Sequence, residues 1–252
     1  MISIYMMKDE NIAIVVPCYN EYTRLPKNDF IEFLYQTERC KIVFSDDGST
    51  DHTIDVLEEI KAVAPERVFI NVLKKNGGKA AAVRSGVQYC YDQNLEFHKI
   101  AFLDSDLATS LNECIRISKR IEKDVVFAFA SRIQKIDNRI DRKLYRHLIG
   151  RVIATVISVI LGMNVYDTQC GCKVFTRDLA EKIFKDAFIS KWLFDVELFF
   201  RIKHLYKGKE IKKLAREIPL KAWIDKDESK VKFSYSLKLW LDLYRINKKY
   251  NK

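Results

Sequence analysis

The chain alternates short apolar runs with helical patterns, and this alternation restricts its fold more than any other feature. Five apolar runs have the length of buried strands, at residues 12–16, 42–44, 68–73, 100–103 and 125–130. Four segments between them have the apolar spacing of helices, at residues 29–37, 53–63, 79–91 and 111–121. Strands that alternate with helices build a parallel sheet through right-handed crossovers. With 252 residues and 48% hydrophobic content, the chain can bury the core of one α/β domain.

The rhythm changes in the second half of the chain. Beyond residue 135 the pattern predicts, in order, a helix over 141–161, a glycine-containing segment, helices over 178–185 and 193–206, a strand over 212–223 and an amphipathic helix over 236–247. No linker rich in Gly, Pro or Ser separates the halves. We therefore expect a single α/β domain with a mostly parallel central sheet. We expect it to have two halves, residues 1–130 with the alternating strands and helices and residues 131–252 as a mainly helical region.

Two aspartates, Asp104 and Asp106, directly follow the fourth apolar run. Ligands of open α/β sheets bind beyond the carboxyl ends of the strands, where these carboxylates emerge. Mg²⁺ and Mn²⁺ prefer carboxylate and phosphate oxygens, so the pair predicts a site for a metal ion and a nucleotide diphosphate. The same Asp-Ser-Asp sequence also occurs in turns and helix caps, and the spacing alone does not separate the two interpretations.

Polar side chains also follow the first strand. This run ends in the sequence VVPCYNE, in which Pro17 stops the strand's hydrogen bonding. Tyr19, Asn20 and Glu21 then lie at the edge of the sheet. A tyrosine at this place can flank a base or a ribose.

The second and third strands end in two further polar loops. Asp46 and Asp47 begin the sequence DDGSTD, a turn that opens a helix and whose carboxylates can accept from a base N–H or from ribose hydroxyls. The third loop, KNGGK, places two glycines at a helix start, where backbone N–H groups can approach an anion. Lys79 and Arg84 add positive charge there.

The net charge of +10 comes entirely from the end of the chain. Residues 201–252 hold 16 Lys and Arg against 6 Asp and Glu, whereas residues 1–200 hold 28 of each. The aromatic residues interleaved with this basic segment are Trp223, Phe233, Tyr235, Trp240 and Tyr244. The segment suits an anionic membrane surface or a phosphate-bearing lipid. A solvated helix face is the alternative, and a basic protein that binds nucleic acid is a third, although charge alone does not explain ordered loop motifs.

Cysteine usage and hydropathy indicate where such a protein works. The six cysteines form no C-x-x-C pair, and no secretory signal precedes the first predicted strand. We therefore expect reduced thiols in a cytoplasmic protein. The longest apolar stretch, 152–163, is shorter than the ~18 residues that a membrane-spanning helix needs, so it is either a core helix or an interfacial one.

The four loop motifs VVPCYNE, DDGSTD, KNGGKAAAVRSG and DSDLAT, in this order, resemble those of the inverting family 2 glycosyltransferases of GT-A fold. The resemblance implies that residues 1–130 form a nucleotide-sugar-binding half and residues 131–252 an acceptor-facing half. The residues that bind the nucleotide-diphosphate sugar would be Pro17, Tyr19, Asn20, Glu21, Asp46, Asp47, Asn76, Lys79, Arg84, Asp104, Ser105 and Gln169. It also implies that Asp104 and Asp106 hold Mg²⁺ or Mn²⁺, with Asp106 as the direct ligand.

The second half is similar to one branch of that family, the dolichyl-phosphate β-glucosyltransferases, which stand close to the polyprenyl-phosphate mannosyltransferases. The resemblance rests on DTQCGCKVFTR at 167–177 and WLFDVEL at 192–198. It implies inverting transfer of a sugar to a polyprenyl monophosphate on the cytosolic face of a membrane, by a peripheral protein. UDP-glucose is the expected donor, with UDP-N-acetylglucosamine and GDP-mannose as alternatives.

Such a reaction needs positive charge more than a base. A phosphate monoester has its second pKa near 6, so the acceptor is already an anionic nucleophile at about pH 7. Arginine can grip a phosphate through two parallel N–H bonds. The candidate acceptor-binding residues are Arg132, Arg142, Arg146, Ser229 and Lys230, and each arginine alone is equally consistent with an ordinary surface residue.

A sugar hydroxyl as acceptor would instead need a general base, and Asp195 is the candidate. Asp195 lies among apolar residues, so an ion-paired structural aspartate is the alternative. Together with Arg132, Asp104 and Asp106 it completes the predicted catalytic set.

Overall fold

The computed structural model describes residues 11–141, 144–207, 211–224 and 236–250. The strands are β1 (Ile12–Cys18), β2 (Cys40–Asp46), β3 (Val68–Val72), β4 (Lys99–Leu103), β5 (Phe127–Ser131), β6 (Arg139–Asp141), β7 (Cys172–Thr176), β8 (Ala215–Pro219) and β9 (Ala222–Ile224). The helices are α1 (Lys27–Gln36), α2 (Thr53–Val63), α3 (Lys79–Asp92), α4 (Leu111–Ser118), α5 (Leu144–Leu161), α6 (Arg177–Ile183), α7 (Phe194–Leu205), α8 (Ile211–Leu214) and α9 (Ser236–Tyr250). The alternating strands and helices predicted for the first half are confirmed.

Seven strands form one sheet in the order β3-β2-β1-β4-β7-β5-β8. All neighbours are parallel except β7, which runs antiparallel to β4 and β5. The predicted mostly parallel sheet is thus confirmed. Because Leu103 pairs with Cys172, the amino end of β7 lies at the same edge as the carboxyl end of β4. This edge collects the loops that carry the polar motifs.

The core has two layers, one on each face of the sheet. The strands supply alternate residues to the layers, as Ile14 and Val15 of β1 show. Helices α1, α2 and α4 cover one face, and α3, α6 and α7 cover the other. Both faces are buried, which explains why the strands are continuous apolar runs without alternation of polar residues.

The second half departs from the prediction at two places. The single strand predicted over 212–223 is wrong, because this segment forms α8, β8 and β9. Strand β7 was not predicted at all, and with β8 it brings the second half into the central sheet, so this half is not only helical. The reason is Lys173, which interrupts the apolar pattern of β7 although it is fully buried.

Helix α5 contains most of the longest apolar stretch. Ile157 and Leu161 are buried in the core, whereas Val152 and Val159 are exposed. The helix is therefore partly a core helix and partly a surface one. No helix in the described part of the chain combines the length and hydropathy needed to cross a membrane.

Candidate active site

The loop after β4 meets the segment before β7 at the carboxyl edge of the sheet. The Asp104 amide donates to the Gly171 carbonyl at 3.1 Å. A Cβ atom at position 171 would lie 2.0 Å from Asp104 Oδ2, so a glycine is needed for this close approach. The structure thus joins a motif of the first half to one of the second.

Asp104 forms an ion pair with Lys79, the first residue of α3. Lys79 Nζ lies 2.5 Å from Asp104 Oδ1 and 5.8 Å from the ring centroid of Phe194. Burial disfavours the charged lysine, but the carboxylates of Asp104 and Asp195 outweigh it and raise the pKa of Lys79 above its ordinary value. Lys79 therefore carries a fixed positive charge beside Asp104.

Asp106 lies in a tight turn after β4. Its Oδ1 accepts from the Ala108 amide at 2.9 Å, and the Leu107 amide donates to the Asp104 carbonyl at 3.2 Å. Leu107 has a positive φ of 50°, and Ser105 is buried. This geometry directs two carboxylates, one residue apart, to the same edge.

The two carboxylates suit a divalent cation that also binds the substrate. In the described part of the chain, no cluster of three or more His, Cys, Asp or Glu side chains could hold a metal alone. Mg²⁺ and Mn²⁺ are often held by one or two carboxylates together with substrate phosphates. The donor set of Asp104 and Asp106 fits that mode.

The loop after β1 is anchored to the loop after β2. The Asn20 amide donates to Ser49 Oγ at 2.9 Å, and the Asn20 side-chain oxygen accepts from the Thr50 amide at 2.9 Å. The Glu21 amide donates to Thr53 Oγ1 at 2.8 Å. Tyr19, with 36% of its surface exposed, follows β1 at this edge. The prediction that Pro17 ends the strand is wrong, because Pro17 and Cys18 still pair with β2. The two loops form one connected wall, as their shared edge predicted.

Asp46 and Asp47 are buried and hold backbone groups. Asp46 Oδ2 accepts from the Ser49 amide at 2.9 Å. The Asp47 oxygens accept from the Gly77 and Gly78 amides at 2.8 and 2.7 Å. The anion that the glycine loop approaches in this structure is therefore Asp47 itself, and not an external ligand as the sequence suggested.

Three other predicted donor-site residues lie around this edge. Arg84 donates to the Lys185 carbonyl at 2.7 Å, which ties α3 to the segment after α6 instead of placing the guanidinium beside Lys79. Asn76 is exposed in the glycine loop. Gln169 is exposed too, and its amide donates to Asp167 Oδ1 at 3.1 Å.

Arg132 directly follows β5 and binds Asp167 through two parallel bonds. The distances are 2.7 Å from Nε to Oδ2 and 2.9 Å from Nη2 to Oδ1, and the guanidinium lies 5.3 Å from the Trp223 ring centroid. Burial opposes the charged carboxyl, but Arg132 outweighs it and lowers the pKa of Asp167 to about 2. The N–H pair that was predicted to grip a phosphate is thus already bound to a carboxylate.

This pair predicts a stability change in acid. The folded-state pKa of Asp167 is depressed, so its contribution of about 2 kcal/mol is complete above the unfolded pKa near 4 and is lost as pH falls towards 2. Urea unfolding between pH 6 and pH 3 measures it. The stability difference between wild type and Asp167→Asn should shrink as pH falls. Parallel curves, like those expected for the exposed control Asp137→Asn, would contradict the assignment.

Asp195 lies in the first turn of α7, buried and paired with Lys173. Lys173 Nζ lies 2.5 Å from Asp195 Oδ1, donates to the Cys170 carbonyl at 2.8 Å and lies 5.2 Å from the Phe102 ring centroid. Lys173 has no exposed surface. The ion-paired arrangement foreseen as the alternative for Asp195 is what the structure shows.

Sequence reasoning missed three residues of this site, Asp167, Gly171 and Lys173. All three belong to the DTQCGCK segment. The one sign in the sequence was Lys173, a charged residue within an apolar run, which suggests a buried charge with a partner nearby. Of the predicted acceptor residues, Arg142, Ser229 and Lys230 lie outside the described residues, and Arg146 lies on α5 with its side chain outside the described part.

Comparison with known proteins identifies the family. The model of the family described as Glycosyl transferase family 2 matches residues 13–184. The dolichyl-phosphate beta-glucosyltransferase of Dictyostelium discoideum is 30% identical, over 95% of this chain and 74% of that protein. The protein of that name from Saccharomyces cerevisiae is also 30% identical, over 96% of this chain and 76% of that protein.

Solved structures agree on the fold. Glucosyl-3-phosphoglycerate synthase from Mycobacterium tuberculosis, in complex with UDP, superimposes with a TM-score of 0.67 at 15% identity, over 94% of this chain and 80% of that chain. The same enzyme with Mn²⁺, UDP-glucose and phosphoglyceric acid gives 0.65 at 14% identity, with the same coverage. This likeness confirms the predicted GT-A-like α/β fold. The chain belongs to glycosyl transferase family 2, and the protein is a glycosyltransferase.

Proposed function

We propose that the protein transfers glucose from UDP-glucose to a polyprenyl monophosphate with inversion, which yields a β-linked lipid phosphosugar. The observation that carries the proposal is the 30% identity to a dolichyl-phosphate beta-glucosyltransferase over 95% of this chain, which includes the acceptor-facing half. UDP as the nucleotide is supported by solved structures of the same fold that hold UDP or UDP-glucose. In this proposal, residues 1–130 bind the donor and residues 131–252 bind the acceptor.

The donor is bound at the carboxyl edge of the sheet. Tyr19 and the wall that the loops after β1 and β2 form would flank the nucleoside. Asp104 and Asp106 would hold a divalent cation, either Mg²⁺ or Mn²⁺. A solved structure of the same fold contains Mn²⁺. When bound, the cation supplies charge neutralisation for the departing diphosphate. Other proposed donor contacts are Pro17, Asn20, Glu21, Asp46, Asp47, Asn76, Ser105 and Gln169.

Lys79 acts directly on the leaving group. Its ammonium, held at 2.5 Å from Asp104, meets the negative charge that develops on the diphosphate as the bond to the anomeric carbon breaks. An oxygen of the lipid phosphate forms the new bond to that carbon from the opposite face. No proton has to be removed from this acceptor, so Asp195 can remain paired with Lys173 throughout.

The acceptor phosphate is held by cations on the second half of the chain. The proposed set is Arg132, Arg142, Arg146, Ser229 and Lys230. Arg132 would contact the phosphate through Nη1, because its Nε and Nη2 donate to Asp167. A polyprenyl acceptor also places the reaction at a membrane surface, with the protein peripheral on the cytosolic face.

A sugar hydroxyl as acceptor is the second candidate, favoured by one observation. Asp195 lies close enough to Lys79 for its carboxylate to raise the pKa of that lysine, so it faces the same site and can serve as a base there. The buried pair with Lys173 opposes this role, because a base has to exchange its partner for the acceptor hydroxyl.

A competition assay tests the proposal. Purified protein with Mg²⁺ or Mn²⁺ receives undecaprenyl or dolichyl phosphate and a mixture of UDP-glucose labelled with ¹³C in the sugar, UDP-N-acetylglucosamine and GDP-mannose, and mass spectrometry identifies the products. The label separates glucosyl from mannosyl lipid phosphate, which otherwise have the same mass. We expect hexosyl lipid phosphate from UDP-glucose, and none with lipid alcohol as the control acceptor. Bound or slowly hydrolysed nucleotide sugar without a lipid product would contradict the proposal and favour a saccharide acceptor.

A further inference from the structure

Helix α9 packs on the domain with one face only. Leu243 and Ile246 are buried, at 1% and 0% exposure, in the core layer that α3, α6 and α7 cover. The main contacts of α9 within the described residues are with α7 and α5. The opposite face of the helix is left without a covering element in the described part of the chain.

That opposite face is apolar at its centre. Trp240 and Tyr244 are one turn apart, with 42% and 63% of their surface exposed, and Leu241 beside them is 58% exposed. Three large apolar side chains exposed together on one helix are unusual on a protein surface without a binding partner.

Cationic side chains surround this apolar stripe, and Lys248 lies one turn beyond Tyr244 on the same side of the helix. Lys238, Arg245, Lys248 and Lys249 are all exposed. The only acidic residue of the helix, Asp242, is buried, and its Oδ2 accepts from Ser190 Oγ at 2.8 Å. Arg245 Nη1 lies 3.7 Å from Asp242 Oδ1. The exposed face still carries a net positive charge, because its four cations outnumber this one carboxylate.

The segment from Ser190 to Phe194 connects this face to the active site. Ser190 binds Asp242 of α9, and Trp192, which follows closely, is 41% exposed. Between them, the Lys191 side chain lies against Gly78, where a Cβ atom would come within 3.2 Å of Lys191 Cδ. Gly78 precedes Lys79, so the segment borders the catalytic edge of the sheet.

We propose that the exposed face of α9, together with Trp192, is a docking surface for an anionic lipid bilayer. The tryptophan, leucine and tyrosine side chains insert at the level of the headgroups, and the flanking cations meet the lipid phosphates. A helix of 15 residues is too short to cross the bilayer and lies in its surface instead. Docking on this face holds the active-site edge next to the membrane.

The composition of the face favours a bilayer over a protein partner. Lysine is depleted from the centres of protein–protein interfaces, whereas apolar residues with a lysine-rich flank are characteristic of interfacial membrane helices. Nucleic acid is disfavoured because the centre of the stripe is apolar, whereas nucleic-acid sites follow the phosphate backbone with a positively charged groove. The inference deepens the proposed function, since it supplies access to a lipid acceptor.

Co-sedimentation with acceptor-free vesicles tests the surface independently of the transfer reaction. The full chain is mixed with sucrose-loaded vesicles of phosphatidylcholine, with and without phosphatidylglycerol. We expect binding to the anionic vesicles that weakens at high salt. The variant Trp240→Ser/Tyr244→Ser should bind these vesicles at least about tenfold more weakly than wild type. The variant Lys248→Gln/Lys249→Gln should lose preference for anionic over neutral vesicles.

The matched control is Tyr35→Ser on α1, because Tyr35 is 75% exposed and α1 covers the opposite face of the sheet. It should bind vesicles like wild type, and thermal unfolding checks that every variant is folded. Unchanged binding by the Trp240 and Tyr244 variant would overturn the proposal. So would a concentration-dependent dimer that hides α9, or binding to duplex DNA with none to vesicles. Vesicle binding without any transfer product would contradict only the proposed function.

Discussion

Asp106→Asn is expected to lower sugar transfer about a thousandfold, with every acceptor offered, because it removes a carboxylate from the proposed cation site. A metal ion that stabilises a departing diphosphate contributes several kcal/mol to the rate, and each ~1.4 kcal/mol is a factor of ten. The amide keeps the side-chain oxygen that accepts from Ala108, so the turn after β4 should stay intact. Initial rates over a series of Mg²⁺ and Mn²⁺ concentrations measure the effect.

The comparison needs an aspartate outside the site. Asp124 is exposed in the loop before β5, and Asp124→Asn should keep wild-type rates and metal dependence. Thermal unfolding separates a lost site from a lost fold. If Asp106→Asn retained activity at normal metal dependence, the assignment of the metal and diphosphate site to the end of β4 would be wrong.

Lys173→Met is expected to destabilise the fold by about 3–5 kcal/mol, since it leaves the Asp195 carboxylate buried without its partner. Methionine fills a similar volume, so the loss reports the charge and not a cavity. The double variant Lys173→Met/Asp195→Leu should recover most of the stability, because an apolar pair of similar size can replace a buried ion pair. Urea unfolding of wild type, both single variants and the double variant completes the cycle.

Lys41→Met is the matched control for a lysine on a strand. Lys41 lies on β2 and donates to the Glu96 carbonyl at 2.8 Å in an exposed position, so its replacement should cost less than about 1 kcal/mol. Equal stabilities of Lys173→Met and wild type would show that the pair is not what holds β7 to α7. Transfer by the folded double variant also decides the acceptor: persistence with lipid phosphate excludes Asp195 as an essential base.

The edge of the sheet at which the site lies could be predicted from the sequence. Apolar runs without polar interruption require strands buried on both faces, and such strands are parallel and joined by helices. Their carboxyl ends then meet at one edge, so the polar residues after each run had to converge. Asp104, Asp106 and Lys79 are brought together for this reason, although 25 residues separate Lys79 from Asp104.

The partners of the charged residues could not be predicted in the same way. Arg132 and Arg84 are residues of the type that binds anionic ligands. In the structure, however, Arg132 binds Asp167 and Arg84 binds the Lys185 carbonyl. An ion pair forms with whichever opposite charge the tertiary packing brings within a few ångströms, and no spacing along the chain encodes that distance.

The sequence by itself determined the family, the alternating architecture and the position of Asp104 and Asp106 at a strand end. These follow from local hydropathy and from motifs on short loops. Only the tertiary structure decided that β7 enters the sheet antiparallel with a buried lysine, and that Asp47 holds the glycine loop. It also decided that Trp240 and Tyr244 stay exposed while Leu243 is buried. Each of these features depends on contacts between segments that are distant in the chain. A buried charge, for example, is stable only if another segment supplies its partner.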